Sequence, residues 1–403
     1  MRYFIFVWII SCCGASCTPK AFRMIRKAKV QTSGFTQQLQ YVNTKRMIVV
    51  KATLNNQRTY RFIWDTGAGV TVLSRKVVQE LGLKPRAKMN VGDSRKRRKT
   101  LELVNIQNFT LGGVQFKNIA GLVVDYDSTS VLPCIAEGGI IGTNIIARCN
   151  WTIDYARQTL IFTNQPYHLQ NNPKSFAFKT GSTGRIYFDM QIKGKTIRNV
   201  LFDAGSSGGL DLRVSDGLQA GWLKRMPSTK LLDGTTQGLY GTRLDTTYVL
   251  ALDSVKVGSL PPLKVPVELG RYVNKKIGNR IMQSFQVKID YSHKRMLWTP
   301  TAPVALWPPV TGALFKRSVK GKLIVGSLYL PSDASTKGVK LNDEVVQING
   351  QPLTNFFTNN CSFYQWFFDV YNIKVLKITL KNGKKISLHK KPLGTKLWWQ
   401  KQK

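Results

Sequence analysis

The chain has 403 residues, 43% of them hydrophobic and 10% aromatic, which supports ordinary cores and excludes disorder throughout. At that length there is room for roughly two to four domains. Sixty Lys and Arg against 21 Asp and Glu leave a formal charge of +39, which points to anionic partners: nucleic acid, lipid headgroups, acidic glycans or acidic peptides.

The first segment, MRYFIFVWIISCCGASCTPK, opens with Arg2, runs apolar from Tyr3 to Ile10 and then enters small residues and cysteines, the layout of a secretory signal. That run is too short to span a bilayer. Its cysteines resemble the lipobox of bacterial lipoproteins, in which the cysteine after the cut is diacylated. Ile9, Ile10 and Ser11 before Cys12 match by residue type, whereas Gly14, Ala15 and Ser16 before Cys17 give the more usual signal length. Cys17 is the preferred acceptor and Cys12 the alternative, with an ordinary cleaved signal as the other reading. The resemblance implies an exported, membrane-anchored lipoprotein of the bacterial cell envelope. Such a protein does not meet the genome, so nucleic acid drops out, and the charge is assigned to anionic lipid headgroups, acidic glycans or acidic peptides. After this signal, residues 1–17, comes a basic stretch, 18–39, read as a linker. Beyond the signal only Cys134, Cys149 and Cys361 remain, a set that holds at most one internal bridge.

The next distinctive stretch is FIWDTGAGVTVLS, in which Asp65 ends an apolar strand and is followed by Thr66, Gly67 and Ala68. A second such turn occurs in NVLFDAGSSGGLDL, where Asp203 is followed by Ala204, Gly205 and Ser206, 138 residues later. Each aspartate lies eleven residues after an apolar residue that precedes a polar turn, Leu54 before NNQR and Ile192 before KGK. Both units therefore start as a hairpin leading into a D-x-G turn. Farther on, IIGTNIIARCNWTIDYARQTLIF from Ile140 aligns without gaps to KIGNRIMQSFQVKIDYSHKRMLW from Lys276, so that Gly142 and Gly278 coincide. This pattern predicts a strand, a short helix and a strand that brace each aspartate turn from behind.

Two D-x-G turns, each followed by an apolar-Gly pair and a helix, resemble the retropepsin-like and pepsin-like aspartic peptidases over roughly residues 40 to 300. The resemblance implies a mainly β fold with two lobes in tandem, 40–165 and 172–300. Asp65 and Asp203 would be catalytic, and one chain would form the cleft as a monomer without cofactor or metal. It implies hydrolysis of peptide bonds by water held between two carboxyls that share one proton. Gly67, Gly205, Gly142 and Gly278 permit close packing around the turns. Thr66 resembles the residue whose hydroxyl ties one loop to the other, and Ala204 departs from the family by lacking that hydroxyl. Ser206 can hydrogen-bond Asp203 and Ala68 offers Asp65 nothing comparable, so the charge is expected on Asp203 and the shared proton on Asp65. A binding protein that uses the same cleft without cleavage is the alternative.

Each unit also offers a hairpin flap, NVGDSRKRRKT around Gly92 and Asp93 and LLDGTTQGLYG around Gly234. The first carries five consecutive basic residues, Arg95 to Lys99, read as a solvated loop or as a lid for acidic peptides. From Thr311 the sequence resembles a PDZ domain, placed at 304–395, whose loop Gly312, Ala313, Leu314 and Phe315 would offer backbone N–H groups to a peptide C-terminus or strand. A structural cap on the second lobe is the competing reading, and a cut before about Val304 is expected to leave both aspartate lobes intact. Trp398 and Trp399 beside lysines suit a membrane interface or packing. The three histidines form no HExxH pair and no GxSxG occurs, so zinc hydrolysis and a serine triad lack support.

Overall fold

The computed structural model describes residues 20–93, 96–126, 130–318, 321–353 and 360–393. Cys12, Cys17, Arg95, Trp398 and Trp399 lie outside the described residues. From Lys20 onward the stretch expected as a linker is built into the fold. Helix α1 (Lys20–Arg26) buries Ala21 and Ile25, Lys29 and Val30 pair with Lys117 and Phe116, and β1 (Thr36–Gln40) is an edge strand. Its alternating burial explains the reading: a polar, one-sided edge looks like linker in composition.

The first aspartate unit opens with β2 (Met47–Leu54) and β3 (Arg58–Trp64), antiparallel strands joined through Asn55 and Asn56. Both asparagines have positive φ, 50° and 57°, the conformation a tight hairpin demands. Strand β3 turns continuously apolar at Phe62, Ile63 and Trp64, where both its faces are covered. The unit continues through β4 (Thr71–Ser74), β5 (Ala87–Gly92), β6 (Arg98–Leu111), β7 (Val114–Val124), α2 (Leu132–Ile135), β8 (Gly139–Ile141) and α3 (Thr143–Ile146). Strand β8 enters between β3 and β4, parallel to the first and antiparallel to the second. Strands β9 (Asn150–Asp154) and β10 (Thr159–Thr163) then leave this sheet for another.

The second unit repeats the plan. Strands β11 (Ile186–Ile192) and β12 (Lys195–Phe202) meet at Lys193 and Gly194, again with positive φ, and β13 (Leu210–Arg213) follows the aspartate. A long hairpin, β14 (Thr229–Gly238) and β15 (Gly241–Val257), precedes β16 (Leu263–Gly270), β17 (Lys276–Ile277) and α4 (Asn279–Met282). Strand β17 lies parallel to β12 and antiparallel to β13, as β8 lies between β3 and β4. Strands β18 (Phe285–Asp290) and β19 (Arg295–Pro300) complete the unit, and β18 pairs with β9. The six-stranded sheet thus formed belongs to both units. A single apolar core runs beneath it, with Trp64 against Trp151 and Trp298 against Phe202 and Phe285. The pairing of β9 with β18, Trp151 opposite Ile289 and Ile153 opposite Val287, joins the two units through this sheet and its core.

The C-terminal unit contains β20 (Ala313–Arg317), β21 (Leu323–Leu330), β22 (Val345–Ile348), α5 (Asn360–Asn372), β23 (Val375–Leu380) and β24 (Lys385–His389). It has its own core around Phe315, Val325, Ile378 and Leu388. Strand β21 pairs with β14, Leu231 opposite Tyr329, so this unit extends the second aspartate sheet to ten strands. A disulfide between Cys134 of α2 and Cys361 of α5 fastens it to the first unit, while Cys149 is buried and free. Of the four residues expected as a peptide-binding loop, only Gly312 precedes the strand; Ala313, Leu314 and Phe315 are inside β20, paired with β21. The outer edge of β20 is occupied by Tyr371 of α5, whose hydroxyl accepts from the Phe315 N–H at 3.0 Å and donates to the Ala313 carbonyl at 2.8 Å.

Candidate active site

Asp65 and Asp203 leave β3 and β12 at equivalent points. Each backbone N–H donates at 3.0 Å to a carbonyl of the inserted strand, Asp65 to Ile141 and Asp203 to Ile277. The short helices that follow brace the turns from behind. Thr143 N donates to Ala68 O and Asn279 N to Ser206 O, both at 2.8 Å, while Asn279 Nδ2 donates to Ala204 O at 2.7 Å. Gly142 N donates to Thr71 Oγ1 and Gly278 N to Gly209 O, which locks the helix starts onto the same loops. Every loop residue singled out by the repeat therefore converges on one place.

The two carboxyls face one another. Gly67 N donates to Asp65 Oδ1 at 2.6 Å and Gly205 N to Asp203 Oδ1 at 3.1 Å. Each glycine lies against the opposite aspartate: a Cβ at Gly67 would collide with the Asp203 carboxyl, and one at Gly205 with that of Asp65. Glycine is required there by close approach, since both residues have ordinary φ. Thr66 ties the loops together, its hydroxyl donating to Phe202 O at 2.7 Å and accepting from Ala204 N at 2.9 Å. Ala204 returns no side-chain bond, so the tie is one-sided.

Burial, then the charge of Asp203 and a hydrogen bond between the carboxyls, push Asp65 up to about 7, against the opposing effects of the Gly67 N–H and Lys276. The hydrogen bond expected from the Ser206 hydroxyl to the Asp203 carboxyl is not made. Ser206 Oγ accepts from Gly208 N at 3.4 Å. Lys276 bonds Asp203 instead: its Nζ lies 3.0 Å from Asp203 Oδ2 and 3.8 Å from Asp211 Oδ2, with all three side chains nearly buried. Burial alone would lower the Lys276 ammonium, but Asp203 and Asp211 outweigh it and hold it well above the usual lysine range. Sequence reasoning misses Lys276, although a signal is present: it occupies the aligned position of Ile140, a charge where the first copy is apolar.

The hairpin between β5 and β6 bends at Asp93, as expected, but that aspartate is structural. Its buried carboxylate accepts from Arg97 N at 2.9 Å and pairs with the Arg97 guanidinium at 3.1 Å. In the second hairpin Gly234 is inside β14 beside a register shift, and the turn falls at Leu239 and Tyr240. Asp233 and Gly234 offer turn chemistry, but a bulge in a long strand satisfies the same residues. The hairpins touch: Tyr240 Oη donates to Val91 O at 2.8 Å, and Lys99 Nζ sits 5.4 Å from the Tyr240 ring.

Residues 50–145 match the model of an aspartyl protease family. Among solved structures, the chain is similar to a retropepsin-like aspartic protease from Rickettsia conorii, at 21% identity over 32% of this chain and 91% of that one, with a TM-score of 0.24. It is also similar to an aspartic proteinase from Irpex lacteus, at 12% identity over 67% of this chain and 99% of that one, with a TM-score of 0.44. No curated protein matches. The segment 50–145, which holds Asp65 and Gly142, is thus similar to an aspartyl protease domain, and Asp203 lies beyond the matched residues.

Proposed function

We propose that the chain is a single-chain aspartic endopeptidase with two retropepsin-like lobes, hydrolysing polypeptides by water activated between Asp65 and Asp203. The observation that carries this reading is the reciprocal packing of the turns, in which each glycine donates to its own aspartate and lies against the other. Two carboxyls so placed cannot both ionise cheaply, and they retain one proton between them. Asp203, paired with Lys276, takes a proton from the water as its oxygen attacks the peptide carbonyl carbon. Asp65, protonated, hydrogen-bonds the carbonyl oxygen as charge develops there. The tetrahedral intermediate collapses as Asp203 passes the proton it took from water to the amide nitrogen, which leaves as the amine; because water is the nucleophile, no covalent enzyme bond forms.

The same reading places the chain in the bacterial cell envelope, lipid-anchored at Cys17 or Cys12, with the basic surface favouring the membrane and acidic peptides. The C-terminal unit is read as a PDZ domain, although Tyr371 already fills part of the strand edge that a peptide would use. The test is incubation of a form starting at Thr18 with a diverse peptide pool, beside an Asp65→Asn control. Cleavage by the native form alone is the expected result. Equal peptide binding by both forms with no cleavage by either would replace the enzyme with a binding protein.

A further inference from the structure

The two aspartate units repeat one backbone plan, and the clearest break in their likeness lies beside Asp203. In the first unit, Val72 of β4 stands opposite Ile140 of β8. In the second, the corresponding cross-strand partners are Asp211 of β13 and Lys276 of β17. An apolar pair has been replaced by an ion pair at a buried position, where charge is costly unless it is matched. Only one of the two carboxyls of the dyad receives this cation. Lys276 reaches Asp203 Oδ2, the oxygen not engaged by Gly205 N, and the first unit places Ile140 at the matching position. Among the described residues, the charged groups beside Asp65 and Asp203 are Lys276 from β17 and Asp211 from β13, across from Lys276.

We propose that Lys276, steadied by Asp211, is a positioning residue that fixes the negative charge of the dyad on Asp203 and leaves the shared proton on Asp65. This rests on the peptidase reading for its mechanistic meaning, since it assigns base to Asp203 and acid to Asp65 before substrate arrives. The sign follows from charge. A cation 3.0 Å from one carboxylate stabilises every state in which that carboxylate is ionised, so its removal makes both protons of the dyad harder to lose.

The test uses the full chain and a Lys276→Ile/Asp211→Val variant, which installs the apolar residue types found in the first unit and leaves no unpaired carboxylate at position 211. The carboxyl titrations of isotope-labelled aspartates are followed by NMR, with the dyad signals assigned by their loss in Asp65→Asn and Asp203→Asn. The last dyad proton is expected to titrate about one pH unit higher in the double variant, and Lys276→Arg should restore the native titration to within about 0.3 unit. An unchanged or lowered titration in the folded double variant overturns the proposal. If that variant does not fold, Lys276→Met serves instead, with a larger upward shift expected because Asp211 is left without its cation, and an unchanged titration again overturns it. The titration needs no substrate, so it remains readable even if the chain cleaves nothing. Where cleavage is found, the alkaline limb of kcat/KM, set by loss of that last proton, should move up with the titration.

Discussion

Replacing Thr66 by Val tests how the two aspartate loops are held together. Valine keeps the side chain's volume and branching but removes the hydroxyl, which donates to Phe202 O at 2.7 Å and accepts from Ala204 N at 2.9 Å. Thr66, Phe202 and Ala204 are all fully buried, so water cannot replace the lost partners. A buried hydrogen bond contributes about 1 kcal/mol net, and an orphaned buried donor costs a further 1 to 3 kcal/mol or so. The change should therefore destabilise the protein by about 2 to 4 kcal/mol. Because Ala204 offers no reciprocal hydroxyl, nothing compensates. Urea unfolding of both proteins measures this, with the midpoint expected to fall while the slope stays the same. A loss below about 1 kcal/mol would mean that the shared core under the two units, and not the Thr66 hydroxyl, sets loop registry.

A raised Asp65 carboxyl binds its proton more tightly folded than unfolded, so its contribution to stability is present at low pH and lost as pH rises from about 4 through about 7. The stability difference between native and Asp65→Asn proteins should accordingly shift by about 1 to 3 kcal/mol against the native form between pH 4 and pH 8, and a flat difference in denaturant titrations would contradict the assignment. The Cys134–Cys361 bridge closes a long loop between the first unit and the C-terminal helix. Cys134→Ser should lower stability by about 2 to 4 kcal/mol, and added reductant should then have no further effect on its thermal midpoint. Removing residues 304–403 uncovers the edge of β14 that β21 pairs with. That truncation is expected to self-associate in size-exclusion chromatography, whereas a well-behaved monomer would show the C-terminal unit to be dispensable for the lobes.

The internal repeat makes most of the site legible in the sequence. Asp-x-Gly, the eleven-residue approach and the aligned Gly142 and Gly278 locate the turns, their hairpins and the bracing helices. Those features depend on local rules, such as positive φ at a hairpin and close approach at glycine, which leave fixed residue types at fixed spacings. What is not legible depends on neighbours distant in sequence. Lys276 reads as one more lysine in a chain of +39 until β17 is set between β12 and β13. The edge of β14 looks exposed until β21 covers it, and the Cys134–Cys361 pairing needs α2 and α5 to be brought together. Ser206 and Gly234 mislead for a related reason. A hydroxyl and a glycine each satisfy more than one local geometry, and tertiary packing selects Gly208 N for the first and a strand bulge for the second.

The most direct measurement of the central claim is the cleavage rate of the native chain against Asp65→Asn, Asp203→Asn and the double variant on one peptide it cuts. Residues that act as one unit lose their effect together, so each single change should reduce kcat by about a thousandfold or more and the double should be hardly worse than either. Either single variant keeping more than about a tenth of the native rate would contradict a shared two-aspartate mechanism.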